Sequence, residues 1–586
     1  MKRFLCLLGL IIAGAVTFFG IAEKQAMAQY FLSEKYDYNL QTKMDHLDYF
    51  DFFRVCNPVL NSVRTAHGNT DWHIDTAEEF LYGTDMNGDP SAANHCPNTW
   101  TRSHMHIGGW HTNDFYYDDA LIGSGDDDSA DGIDRSMLFF YAGHGDPEGF
   151  SALGSEAKMD NMLLGNCDNG GRLRYYWQCS CEVFAHGPET CSGSTSTFDY
   201  ACPGDFDGSS DSDLMRNVYE RWGPVLGNEL RMACGSSTSA YCHEDQMNRI
   251  WDNYNNQGKD VADSFILGLH GTTGYDSNVV PLCITRGGLS VVNTPLWLDG
   301  SFTNQRHPYH DKTANYYHIQ YLENFDSNTP PWRVFIPEIL YELPKIRFIP
   351  FPDPPPFENM KFYCEGNLKY SYEVIDGRGP KVRINENSGA VYIRGDRQIE
   401  QKGLSLSENT YIEMAKSYLE ENGLYEEDMT QPFGTKMVIQ RVSIDDDSVS
   451  KYNKNVQVTF RRQIRMGKNM INVLGEGGQI SVQMNNDGSV INASKVWRQI
   501  NPEQSDLRYS KMYHVKTFDQ ALAEAKKEMG DEAPYELAHW DWGYKETSGN
   551  VEQIEMSVVF QFWFEPTSKE FEQDYPPRMI EIEGQY

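Results

Sequence analysis

The sequence predicts an α/β domain, a mostly parallel sheet flanked by helices, followed by a smaller α+β domain with mainly antiparallel strands. Three observations carry this expectation. Short apolar runs alternate with helical patterns before residue 328, which is how a sheet with helical crossovers reads. A proline-rich stretch from Thr329 to Phe357 then interrupts the pattern. Beyond it, apolar and polar residues alternate with the two-residue period of half-buried strands.

In the first part, Ser136–Tyr141 and Leu173–Trp177 read as buried strands, and Glu229–Ala233 as a weaker third. Helical patterns run over about 211–221, 244–255 and 261–269. The proline-rich stretch ends in Phe351-Pro352-Asp353-Pro354-Pro355-Pro356; such a segment favours extended polyproline geometry and acts as a semi-rigid spacer. After it, Val456, Val458 and Phe460 alternate with polar residues, as do Ile480, Val482 and Met484 and then Met556, Val558, Phe560 and Phe562. Asn486-Asp487-Gly488 is a hairpin turn signal. Two helices interrupt these strands. One starts at the capping box Ser405–Glu408 and ends near Gly423; the other starts at Thr517–Gln520 and ends at Gly530. The expected organisation is a leader over 1–28, an α/β domain over 29–328, a linker over 329–357 and an α+β domain over 358–586.

The N-terminus explains the first boundary. Met1-Lys2-Arg3 is basic, an apolar run follows to about Ile21, and Ala26 and Ala28 fit a small-residue cleavage site before Gln29. This is the pattern of a secretory signal peptide; an uncleaved anchor is the alternative. No later run has eighteen consecutive apolar residues, so no membrane span is expected once the leader is removed. The expected location is secreted, periplasmic or at the cell surface. With 84 acidic against 50 basic residues, the surface should repel nucleic acid, and no nucleic-acid partner is expected. Of twelve cysteines, Cys6 leaves with the leader, and eleven remain. Exported chains usually pair their cysteines. Eleven is odd, so at least one thiol should stay free or pair with another molecule.

Two strand ends carry the residues that chemistry would use. Phe139–Ala142 runs into Gly143-His144-Gly145, and Tyr176-Trp177-Gln178 runs into Cys179-Ser180-Cys181-Glu182. In open α/β sheets, ligands bind at the carboxyl ends of strands, so a histidine and a cysteine emerging there can share one site. A thiolate attacks a carbonyl while an imidazole handles the proton, and backbone N–H groups near Gly145 and Cys181 can hold the oxyanion. Either Cys179 or Cys181 can be the nucleophile, and either can be bridged; Cys181 sits further out and precedes Glu182. The third strand end, Ala233–Thr238, can line the same cleft, with Gly143, Ser236 and Ser237 as the candidate substrate contacts.

At these residues the sequence resembles the caspase-like (clan CD) cysteine peptidases, of the legumain or gingipain type. They carry a hydrophobic strand followed by His-Gly and a second hydrophobic strand ending in the catalytic cysteine. Phe139–Gly145 and Tyr176–Glu182 match both halves in order, and Cys181-Glu182 looks most like the legumain branch. The resemblance implies that His144 is the catalytic histidine, Cys181 the nucleophile and Gly145 an oxyanion donor, with a protein or peptide substrate and no required cofactor. The stretch from Trp110 to His270 also resembles an uncharacterised group of bacterial secreted proteins with a caspase-like core, through Gly109–Asp114 and Phe140–Gly145. The alternative is a catalytically inactive caspase-like binding or structural protein with its cysteines in disulfides. Val456–Trp497 is similar in pattern to the PepSY and FTP-like pro-domains of secreted peptidases.

One loop is a candidate metal site. Asp205, Asp207, Asp211 and Asp213 place oxygen ligands at alternate positions, as a Ca2+ loop does, but the twelfth position is Arg216 instead of Glu. Asp126–Asp128 with Asp131, and Asp85 with Asn87 and Asp89, are similar acidic loops; a solvated turn is the alternative for each. His104, His106 and His111 lack a recognised ligand spacing and are read as structural.

Overall fold

The computed structural model describes residues 49–53 and 101–106, a discontinuous set over 121–184, most of 218–287, all of 316–324 and most of 339–585. The leader, Gly143, His144, Cys181, Asp205, Asp207, Asp211 and Asp213 lie outside the described residues, as do the other two acidic loops. Among the described residues, no helix is long and apolar enough to cross a membrane.

A mixed sheet of thirteen strands organises the chain. Its strands are β1 (Leu138–Ala142), β2 (Tyr175–Cys179), β3 (Met232–Ser236), β4 (Pro281–Gly287) and β5 (Tyr316–Asn324) before the proline-rich stretch. After it come β6 (Phe362–Glu365), β7 (Leu368–Ser371), β8 (Val382–Asn385), β9 (Val391–Arg394), β10 (Phe433–Ser443), β11 (Val449–Arg461), β12 (Gln479–Met484) and β13 (Val490–Val496). Their spatial order is β6-β7-β8-β9-β13-β12-β11-β10-β5-β4-β3-β2-β1. Parallel pairing is confined to β1–β2 and β2–β3; β4 and β5 are antiparallel. The expected α/β part therefore carries fewer parallel pairs than its buried apolar strands suggest, since a strand buried on both faces reads the same in either direction. The sheet also continues past the proline-rich stretch, through nine paired positions between β5 and β10, from Tyr316↔Ser443 to Asn324↔Thr435.

The first strands are apolar along their length because both faces are covered. Leu138, Phe140, Tyr175 and Trp177 face one core with α2 (Glu244–Trp251) and α3 (Val261–Leu269); Phe139, Tyr141 and Tyr176 face a second with α1 (Val218–Val225). Strand β10 feeds the same two cores, Met437 and Ile439 into the first, Val438 and Val442 into the second. Helix α2 passes into a π-helical turn at Asp252–Asn256. Helix α3 is buried along its whole length, and Asp260 caps it by accepting from the Asp263 N–H at 2.8 Å.

Beyond the proline-rich stretch, α4 (Glu408–Glu421) lays Tyr411, Ala415 and Leu419 against β8, β9 and β11–β13. Its cap is Ser407, whose hydroxyl accepts from the Thr410 N–H, not the Ser405 expected from the Ser405–Glu408 box. The box at Thr517 is reciprocal as expected: Thr517 Oγ1 accepts from the Gln520 N–H at 3.2 Å, and Gln520 Oε1 from the Thr517 N–H at 2.8 Å. The hairpin β12–β13 turns through Asn486-Asp487-Gly488, with Gly488 at φ +87°, where a side chain is strained. A second sheet of five strands (463–466, 469–474, 535–545, 557–566 and 578–583) packs under α5 (Phe518–Met529). Leu343, Ile346 and Phe348, from the proline-rich stretch, are buried in that core.

Asp541 sits buried in the second sheet, where burial pushes its carboxyl up to about 7 despite the Trp542 N–H and the Arg461 charge. A raised acid contributes stability that is fully present below its unfolded value near 4 and is lost as pH rises through 7. Asp541→Asn should therefore stabilise the fold by about 2 kcal/mol at pH 8 and by little at pH 4. Urea unfolding at the two pH values tests this; an equal difference at both would contradict it.

Candidate functional site

The candidate site is set by β1 and β2. These neighbours run parallel with Leu138 opposite Tyr175 and Ala142 opposite Cys179. Their carboxyl ends are level, and His144 and Cys181 each follow two residues beyond that last pair. Strand β3 runs parallel beside β2, with Trp177 opposite Cys234, and continuing that register brings Ser236 level with Cys179. The three strand ends singled out in the sequence are thus adjacent and point the same way.

The residues just after Cys181-Glu182 are firmly held. The Val183 carbonyl accepts from Trp222 Nε1 at 2.9 Å and from an Arg221 guanidinium N–H at 3.1 Å, both from α1. The Phe184 N–H donates to the Ser236 carbonyl at 3.0 Å. The Phe184 ring stacks on Trp222 with centroids 4.0 Å apart. It also lies on Gly235, where a Cβ would come within 2.1 Å of it. Glycine at 235 is needed for that approach. On the other side, Gln178, Cys179 and Ser180 are buried. The described residues on either side of Cys181-Glu182, Ser180 and Val183, are therefore both fixed points. Phe184, Trp222 and Arg221 were not singled out in the sequence; the third strand end, Ala233–Thr238 with its Gly235-Ser236-Ser237, was the signal that pointed at this neighbourhood.

The remaining candidates are placed as follows. Gly145 pairs with Phe150 in a small three-stranded sheet formed by 145–146, 149–152 and 155–158. Ser236 and Ser237 are both buried, and the Ser237 hydroxyl donates to the Val280 carbonyl at 3.0 Å. Cys179 is disulfide-bonded. Cys234 and Cys283 are paired across β3 and β4 and joined by a disulfide. Cys364, on β6, is free and exposed. His104 and His106 lie in the strand 101–106; His111 lies outside the described residues. Among the described residues, no group of three or more His, Cys, Asp or Glu is placed to hold a metal ion.

No family model matches the chain, and no curated protein matches it. Among solved structures, an uncharacterized protein from Eubacterium rectale is similar over 41% of this chain and 83% of its own, at 8% identity and a TM-score of 0.23. A likeness of that size carries no argument about fold or function.

Proposed function

We propose that the chain is an exported cysteine endopeptidase of the caspase-like kind, with Cys181 as nucleophile, His144 as acid–base and the Gly145 N–H as oxyanion donor. The observation that carries this reading is the level register of β1 and β2, Ala142 opposite Cys179 at their carboxyl ends. A dyad needs its two groups at neighbouring points with little conformational freedom, and the anchoring of Val183 and Phe184 limits that freedom on the cysteine side. The substrate is a peptide or protein; of the expected contacts Gly143, Ser236 and Ser237, the two serines are buried, and the Ser237 hydroxyl is already bonded to the Val280 carbonyl, which leaves Gly143 as the candidate contact. Ca2+ at Asp205, Asp207, Asp211 and Asp213 belongs to the same reading as a structural ion. The part after the proline-rich stretch regulates the peptidase or holds substrate, as its PepSY-like pattern suggests.

One observation favours the second reading, an inactive caspase-like binding or structural protein. Removal of the leader leaves eleven cysteines, and Cys364 is free. The other ten can all pair, so a free Cys181 requires that one more thiol be unpaired.

The test is hydrolysis of a peptide library by the purified mature chain and by its Cys181→Ala variant. Cleavage by the first and none by the second supports the peptidase. Equal cleavage by both, or none by either after removal of the leader and titration with Ca2+, overturns it.

A further inference from the structure

Lys259 lies between the π-helical turn and α3. Its backbone N–H donates to the Asn253 carbonyl at 3.0 Å, and the next residue, Asp260, caps α3. The residue is only 2% exposed. Its Nζ donates to Gln457 Oε1 on β11 at 3.0 Å and to Asn492 Oδ1 on β13 at 3.4 Å. Both partners are neutral amides. Asp260 and Asp263 give their carboxylates to Lys454 instead; together with Asp252 they act on Lys259 by charge across space.

A buried ammonium bonded to neutral amides is costly, and a lysine relieves that cost by giving up its proton. Burial pulls Lys259 down to about 8, against the raising influence of Asp263, Asp252 and Asp260. The amine is therefore substantially uncharged from pH 8 upward, and an uncharged amine is a nucleophile.

Asn492 faces that amine as a held electrophile. It is also 2% exposed, which keeps water from its amide. Its Nδ2 donates to Gln483 Oε1 at 2.5 Å, and Gln483 Nε2 donates on to Asp263 at 2.7 Å. This chain fixes the direction of the amide, nitrogen toward Gln483 and oxygen toward Lys259. The carbonyl carbon stands one C=O bond, about 1.2 Å, beyond that oxygen, so a turn of the lysine side chain brings the reacting atoms together. Gln457 is nearer but only half-buried, and its Nε2 is held by a longer bond, 3.3 Å to Thr459.

We propose that Lys259 and Asn492 join in an isopeptide bond, a covalent tie between the chain before and after the proline-rich stretch. Nζ attacks Asn492 Cγ and the new N–C bond forms. The Cγ–Nδ2 bond breaks, its electron pair goes to Nδ2, and a proton lost by Nζ leaves with that nitrogen as ammonia. The step needs no oxidant, metal or co-reactant. The tie joins residues 233 positions apart, and a link that closes so long a loop restricts the unfolded chain. It does not depend on the peptidase reading.

The experiment is tryptic peptide mapping of the purified mature chain, reduced and alkylated after incubation at about pH 9, where the amine is mostly uncharged. A branched peptide joining the segments around Lys259 and Asn492 is expected, lighter than its two parts by one ammonia and uncut after Lys259. Lys259→Arg and Asn492→Ala should both lack it. Quantitative recovery of the two segments as separate, unmodified peptides overturns the proposal, as does a branch from Lys259 to Gln457. The wild-type map decides by itself if either variant fails to fold.

Discussion

Replacing Cys181 by alanine is expected to abolish peptide hydrolysis on the proposed mechanism, with kcat/KM falling on the order of 10⁴-fold or more. His144→Ala should cost about as much, and the double variant little more than either single one, because two members of one catalytic unit are not additive. The contrast with Cys179 is informative. Its sulfur is already disulfide-bonded and its side chain is buried in the core shared by β1 and β2. Cys179→Ala should lower thermal stability while leaving kcat/KM within about tenfold, since the group removed does no chemistry. Initial rates on one cleaved peptide, with unfolding midpoints for each variant, separate the two effects. Activity retained in Cys181→Ala but lost in Cys179→Ala would reverse the assignment.

The second large effect is expected at Asp263, on α3. Its carboxylate accepts from Lys454 at 2.7 Å, Asn455 at 2.8 Å, Gln320 at 2.6 Å and Gln483 at 2.7 Å. Lys454 also bonds Asp260 at 2.8 Å and Gln320 Oε1 at 3.0 Å. All of these groups are buried. Burial alone would raise the Asp263 carboxyl, but Lys454 and the two amides outweigh it and hold the carboxyl below its ordinary value. Asp260, desolvated and beside the Asp263 charge, is pushed up instead. Truncating one member of such a network leaves its partners buried and unpaired, which typically costs about 3–5 kcal/mol. Asp263→Ala should therefore lower unfolding stability by that amount. The network ties α3 and β5 to β11 and β12, so the loss should loosen the joint between the chain before and after the proline-rich stretch. Amide hydrogen exchange should show faster opening of both α3 and β11. A stability change under about 1 kcal/mol, as for an exposed pair, would contradict this account.

Local signals were legible where the chain settles its own structure. Helix α3 spans the residues expected, because Asp260 caps it and most of the run behind it is apolar. The Thr517 box and the Asn486–Gly488 turn are likewise short-range devices. Strand β3 was misplaced by three residues, read as Glu229–Ala233 but found at Met232–Ser236. Met-Ala-Cys-Gly-Ser has no strand-forming composition, and it is held extended by β2 and β4 on either side. What the sequence could not carry is long-range partnership. Lys454 meets acids nearly two hundred positions away, and β10 completes cores begun by β1 and β2. For the candidate site, the histidine and cysteine halves stood out as motifs. The anchors Phe184, Trp222 and Arg221 did not, since their roles depend on where α1 packs.

Treating the native mature chain with iodoacetamide under non-reducing conditions, and mapping the label by mass spectrometry, tests the proposed catalytic thiol most directly. The peptidase account predicts rapid labelling of Cys181 together with Cys364 and one further cysteine, with the Cys181 rate tracking loss of peptide hydrolysis. Label on Cys364 alone, with the other ten sulfurs recovered as cystines, would contradict it and leave an inert exported scaffold.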